Sequence, residues 1–216
     1  MKLYYKRADR SMAKEMAEFQ ADVFLEREPM TMCLGFSRDE YVSYMTKLYE
    51  ATIEDTLSFV VFDGDADKLV GAVAALDCCM GQIDIDFNEK EQRVIELSNS
   101  FFALFDDALA EYKIEKPLDA CLMSYVAVQK DYLRLGIMSK LIEMVEKAMK
   151  AAGYKYAIVY ATNYKSAGGL DKNAAFRRLK SVAYRDCGID AFADAPGECI
   201  LYLARVAEIK SKDMGE

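Results

Sequence analysis

The stretch VAVQKDYLRLGIMSKL (126–141) joins an apolar, strand-like run to an amphipathic helix through one glycine, Gly136. A helix start behind a tight turn presents unpaired backbone amides with a partial positive charge, so it can hold a phosphate without side chains. Here those amides run from Arg134 to Ser139. A lone glycine at such a place also fits a plain strand-to-helix connection, and the local sequence leaves both readings open. The chain has no histidine. Proton chemistry therefore falls to Glu, Asp, Tyr, Lys or Cys. The six cysteines (33, 78, 79, 121, 187, 199) lack C-x-x-C spacing and read as reduced, mostly buried thiols, which argues against zinc. Cys78 and Cys79 read as strand-end core thiols. DGDADK (63–68) lacks the remaining ligands of a calcium loop and reads as a solvated turn, so no metal is expected.

The elements that must position these groups follow from periodicity. KLYYKRA (2–8) reads as a strand, and Ser11 as the N-cap of a helix carrying Met12, Met16, Phe19 and Val23. After the loop LEREPMTMCLGF, Ser37 and Glu40 form a capping box before the stripe Tyr41, Tyr44, Met45, Leu48 and Tyr49. LSFVVFD and KLVGAVAALDC pair as a hairpin across GDAD. Residues 81–117 carry an inserted helix marked by Val94, Leu97, Phe101, Phe105, Ala108 and Tyr112.

DACLMSYVAVQ is apolar on both faces, as a doubly covered central strand requires. Its alternation would put Met123 and Tyr125 on one face, Ser124 and Val126 on the other. The helix after it buries Ile137, Leu141, Met144, Val145 and Ala148 and stops at Gly153. KYAIVYA is a further strand. The loop TNYKSAGGLDK then leads to a helix NAAFRRLK and two closing strands, SVAYRDCGIDAF and ECILYLARV. Residues 1–216 thus read as one α/β domain with a mixed, mostly antiparallel sheet flanked by helices.

A net charge of −8 argues against a nucleic-acid partner. The N-terminus has no apolar h-region, and no stretch is long enough for a membrane helix, so a cytoplasmic protein, monomer or homodimer, is expected.

The segment 126–148 resembles strand four, the acetyl-CoA loop and helix three of the GCN5-related N-acetyltransferase (GNAT) family. That loop usually reads Arg/Gln, any, any, Gly, any, Gly/Ala; the corresponding residues are Leu133, Arg134, Leu135, Gly136, Ile137 and Met138. Only the central glycine is kept. Leu133 has no side-chain donor, and Met138 is bulky where the family is thin. The segment EREPMTMCLGFSRDEY…LSFVVFD…VAALD is similar to the N-terminal half of the arylalkylamine N-acyltransferase branch, including its insect dopamine acetyltransferase-like members.

The resemblance implies a GNAT fold and acetyl-CoA as co-substrate for acetylation of a small amine. It implies Glu28 of REPM as the general base, stiffened by Pro29, and two hydroxyls after strand five, Thr162 and Ser166. It implies donor contacts from the backbone of Val126 and Val128 and from the loop Leu133, Arg134, Leu135, Gly136, Ile137, Met138 and Ser139. Without it, Glu28 reads as a solvated loop charge and Thr162 and Ser166 as turn or capping residues. No acid for the leaving thiolate is assigned, with Tyr164, Tyr184 or water as alternatives. The aromatic and methionine stripes (Phe101, Phe102, Phe105; Met12, Met16) read as core or as an amine pocket. A CoA-binding or CoA-sensing protein without turnover, and a plain α/β interaction domain, are the alternatives to an enzyme.

Overall fold

The computed structural model describes residues 2–81 and 84–209. Strand β1 (Leu3–Arg7) is followed by a 3-10 turn over Arg10–Met12 and by α1 (Ala13–Arg27). Ser11 is not the cap. Asp9 accepts the Ser11 amide at 2.9 Å, closing an earlier turn, and α1 starts without a side-chain cap. The expected loop after α1 contains a short helix, α2 (Pro29–Cys33), and α3 (Arg38–Thr52) follows with the Ser37–Glu40 capping box in place. Strands β2 (Phe59–Asp63) and β3 (Lys68–Asp77) form the hairpin.

The inserted helix is broken: α4 (Glu89–Phe102) gives way to a 3-10 turn, then α5 (Asp106–Leu109) and a further turn. Positions 82 and 83 of that insertion lie outside the described residues. Phe101, Phe105, Met12 and Met16 are buried in the core, so those stripes are packing. Next come β4 (Ala120–Val128), α6 (Ile137–Ala152), β5 (Tyr156–Ala161), α7 (Tyr164–Leu170), β6 (Arg177–Ala183) and β7 (Glu198–Arg205).

Three expectations fail at this end: SVAYRDCGIDAF is strand only to Ala183, after which Tyr184–Asp186 and Asp190–Phe192 are 3-10 turns. TNYKSAGGLDK is not a loop, because the Asn163 side chain accepts the amides of Lys165 and Ser166 at 3.0 Å and starts α7, whose Ala167 and Leu170 are buried. NAAFRRLK is not a helix, because Arg177 onward pairs with β7, and that pairing overrides local propensity.

The strands form one sheet in the order β1-β2-β3-β4-β5-β7-β6, antiparallel except for β4 and β5. Alternate residues of β7 face opposite cores: Ile200, Tyr202 and Ala204 join α6 and α7, while Cys199, Leu201 and Leu203 join α4. The third cluster, under β2 and β3, holds α1 and α3. On α6 the buried stripe is Ile137, Leu141, Val145 and Met149, at four-residue spacing; Met144 and Ala148 are only half-buried.

Gly71 of β3 decides how closely α6 approaches. A Cβ there would lie 2.7 Å from Val61 Cγ1 and 2.9 Å from Ile137 Cγ2. The glycine therefore lets the first residue of α6 rest on the sheet.

Candidate active site

Two irregularities in the sheet lie along β4. The parallel pairing of β4 with β5 spans only Ala120–Leu122 against Tyr156–Ile158, so the strands part before their carboxyl ends. Clefts beyond the carboxyl ends of parallel strands are where α/β sheets bind ligands. The second irregularity is a bulge. The β3–β4 register slips between Ala72↔Ala127 and Ala74↔Ser124, and Tyr125 within it has φ +50°. The slip breaks the expected alternation: Met123 and Val126 pack toward α6, while Tyr125 packs toward α1 and α3.

On the α6 side, the chain leaving β4 is tied down twice. Gln129 N donates to Val70 O at 2.9 Å, and the Tyr132 hydroxyl donates to Asp63 Oδ2 at 2.8 Å. Asp63 is therefore a buried anchor rather than part of a solvated turn. Arg134 and Gly136 then take φ +68° and +76°, and α6 begins with no side-chain cap. A Cβ at Gly136 would meet nothing within 4 Å, so the space before the amides is open. An open, uncapped start to a sixteen-residue helix is suited to an anion. Leu133, Leu135 and Met138 around it are exposed.

On the other side, Glu28 is half-buried and is the N-cap of α2. Its Oε1 accepts Met30 N at 3.2 Å and Oε2 accepts Thr31 N at 2.6 Å, with Pro29 at the first helical positions. The solvated-charge reading does not hold. The Glu28 charge reaches Tyr125, Tyr184, Tyr41, Cys33 and Cys199, each raised first by burial and further by that carboxylate. Tyr125 is pushed up to about 12. Glu28 thus stands among groups that stay neutral, with residues from α2, α3, β4 and β7 around it.

Tyr184 is tied to the chain just past β5. Its ring is buried, stacked on Phe101 at 5.4 Å, and its hydroxyl donates to the Thr162 carbonyl at 2.8 Å. Ser166 lies in the first turn of α7, tied to Asn163 by its amide and, at 3.4 Å, by its hydroxyl. Tyr164 is 80% exposed. All six cysteines are free; Cys121, Cys187 and Cys199 are buried, and Cys78, although exposed as a residue, has a thiol that burial pushes up to about 12. Among the described residues, no cluster of His, Cys, Asp or Glu could hold a metal ion.

Sequence reasoning missed the ties to Asp63 and Asn163 and the clearance at Gly71. A glycine inside a strand such as KLVGAVAAL is a signal of close approach, and it was there to be read.

Comparison with protein-family models gives a match to the acetyltransferase (GNAT) family over residues 23–170, more than half of the 216. The chain belongs to that family. No curated protein matches the sequence significantly. Among solved structures, the C-terminal condensation domain of Ebony, in complex with beta-alanyl-dopamine, superposes with a TM-score of 0.77 at 14% identity, covering 95% of this chain and 99% of the other. A putative arylalkylamine N-acetyltransferase 7 from the yellow fever mosquito Aedes aegypti gives 0.73 at 17%, covering 94% and 87%. The Drosophila melanogaster polyamine N-acetyltransferase gives 0.67 at 13%, covering 94% and 100%.

At these identities the neighbours establish the GNAT fold, and they include members of the branch the sequence resembles. Family and neighbours together support an N-acetyltransferase. Among the described residues, no helix is long and apolar enough to cross a membrane.

Proposed function

We propose that the chain, acting as a single domain, transfers the acetyl group of acetyl-CoA to a small-molecule amine by direct attack. What supports this reading is an open, uncapped α6 start on one side of the sheet, Glu28 on the other, and a β4–β5 pairing that ends at Leu122 and Ile158. The amides from Arg134 to Ser139 would hold the pyrophosphate, with Leu133 lying alongside and Val126 and Val128 meeting the pantetheine through their backbone.

In the reaction, the amine nitrogen forms a bond to the thioester carbonyl carbon, the C–S bond breaks, and CoA leaves as the thiolate. The proton shed by the amine passes to Glu28. General-base help of this kind contributes roughly 10²- to 10⁴-fold. Each Glu28 oxygen has two lone pairs and receives one amide, so acceptor capacity remains for that proton. Thr162 and Ser166 would orient the amine or relay its proton. Tyr184 is disfavoured as the acid, because its proton is committed to the Thr162 carbonyl and burial holds it on the oxygen.

Small amines fit neighbours named as arylalkylamine and polyamine N-acetyltransferases, and the negative net charge would attract cations. A second reading, a CoA-binding protein without turnover, draws on Glu28's capping role and on the apolar Leu133 and Met138. Thermal shift with acetyl-CoA and thiol release with a panel of arylalkylamines and polyamines separate the two. Absence of any shift rejects both readings, and a shift with no turnover on any amine selects the second.

A further inference from the structure

We infer that Gln20 and Tyr49 are positioning residues for the acyl donor, acting through the strained peptide at the β4 bulge. The inference rests on the donor placement proposed above. Tyr125 holds φ +50°, a left-handed conformation that a residue with a large side chain keeps only where its surroundings hold it.

Those surroundings are specific. Gln20, fully buried on α1, donates from Nε2 to the Tyr125 carbonyl at 3.1 Å. Tyr49 of α3 donates its hydroxyl to Gln20 Oε1 at 2.5 Å. A phenol donating to the amide oxygen leaves the NH₂ end for the carbonyl, so Tyr49 fixes which way the amide points. Burial raises Tyr49 well above the usual phenol range, which keeps it a donor. The Tyr125 ring is held as well, by Phe24 at 6.3 Å and Tyr49 at 6.4 Å between centroids.

The peptide joining Tyr125 to Val126 is trans and planar, so the Tyr125 carbonyl and the Val126 N–H are opposite ends of one rigid plate. Fixing the carbonyl fixes the N–H. With Gln20 gone, relaxation of Tyr125 toward ordinary extended backbone would turn the plate and move the Val126 N–H off the donor. A glutamine 105 residues away thereby sets the direction of a backbone donor that no side chain at position 126 could control.

Acetyl-CoA titration, kinetics in both substrates and melting temperature would be measured on Gln20→Met, Tyr49→Phe and Gln20→Glu beside the wild type. Gln20→Met should weaken acetyl-CoA binding and raise its KM by about fivefold or more, the scale of a lost buried hydrogen bond, with the amine KM unchanged. Tyr49→Phe should move the same constants by less. In Gln20→Glu the new carboxyl can donate to the Tyr125 carbonyl only when protonated. Its acetyl-CoA affinity should therefore recover as pH falls, a recovery the wild type does not make.

In a Tyr125→Gly background, where φ +50° needs no support, the Gln20→Met loss should shrink. Unchanged acetyl-CoA affinity in folded Gln20→Met or Tyr49→Phe, or no recovery at low pH in Gln20→Glu, overturns the inference. Failure of the wild type to bind acetyl-CoA would instead reject the donor reading itself.

Discussion

The Tyr132 hydroxyl donates to Asp63 Oδ2 at 2.8 Å, tying the segment before α6 to the end of β2 across 69 residues. This bond, first, and the Asp65 amide hold the Asp63 carboxyl below its usual range. A depressed carboxylate stabilises the fold above its unfolded pKa and loses that contribution as pH falls through the folded value. Tyr132→Phe should therefore lose stability at neutral pH, a gap to wild type that closes in acid, and by loosening the segment before α6 it should weaken acetyl-CoA binding by about three- to tenfold, the scale of one hydrogen bond. Titration at pH 7 and a stability series from neutral to acid pH would check it. An equal gap at every pH would remove Asp63 from the account.

Gly71→Ala tests the seat of α6. The added methyl would meet Val61 at 2.7 Å and Ile137 at 2.9 Å, so α6 must shift or the side chains must leave their rotamers. Overpacking of this kind costs about 1–3 kcal/mol. Because Ile137 is the first residue of α6, acetyl-CoA affinity should fall too. Leu141→Ala, one turn deeper and fully buried, should cost about 2–5 kcal/mol while leaving the affinity of the folded protein unchanged. Denaturant unfolding with parallel titrations reads both quantities. A Gly71→Ala protein that loses stability but binds normally would show that the α6 start tolerates displacement.

Glu28 has two tasks that two substitutions can separate. Glu28→Gln keeps an oxygen for the Thr31 amide, so α2 should persist, while the base is lost and turnover at neutral pH drops at least about tenfold. Glu28→Ala should lose the cap as well, at about 1 kcal/mol. Acetyl-CoA affinity should be unaffected by Glu28→Gln. A normal rate in Glu28→Gln would leave Glu28 as a cap alone.

The parts of this fold that were legible in the sequence are those set within a few residues. Ser37 and Glu40 satisfy each other across one turn, and Gly136 and Gly153 take positive φ at the two ends of α6. The hairpin of β2 and β3 and the apolar β4 follow from period two and turn residues. Features resting on distant partners were not legible. Arg177–Lys180 reads as the end of a helix but is strand because β7 pairs with it, and Gly168 and Gly169 hid α7, whose start is set by Asn163. Of the candidate site residues, Glu28, Thr162 and Ser166 follow from family resemblance alone. Gln20, Asp63 and Tyr184 act through contacts that carry no local pattern.

Glu146 predicts an unusual stability curve. It is buried on α6, and burial, opposed by Lys150 and aided by Glu143, raises its carboxyl from 4.5 to about 7. The native state then favours the protonated form, so stability is greatest below the unfolded pKa and declines as pH rises toward 7. The loss is on the order of 2 kcal/mol, allowing for the water that reaches part of the carboxyl. Glu146→Gln should flatten the curve between pH 4.5 and 7 and melt higher than wild type at pH 8. Parallel curves for the two proteins would mean that the carboxyl is solvated in the native state.

Leu133 and Met138 test how far the α6 start works through backbone alone. Both are exposed, at 45% and 40%, so replacing them should change stability by no more than about 0.5 kcal/mol. Leu133→Arg adds a guanidinium beside open amides and should tighten acetyl-CoA by about five- to twentyfold at low salt, since a charged hydrogen bond is stronger than a neutral one. The gain should shrink as salt rises, because the new pair is solvent-exposed. Met138→Ala should help little, because it adds no donor. Titrations at low and high salt distinguish the cases. If Leu133→Arg gains nothing at low salt while wild-type binding is intact, the phosphates lie elsewhere than at the α6 amides.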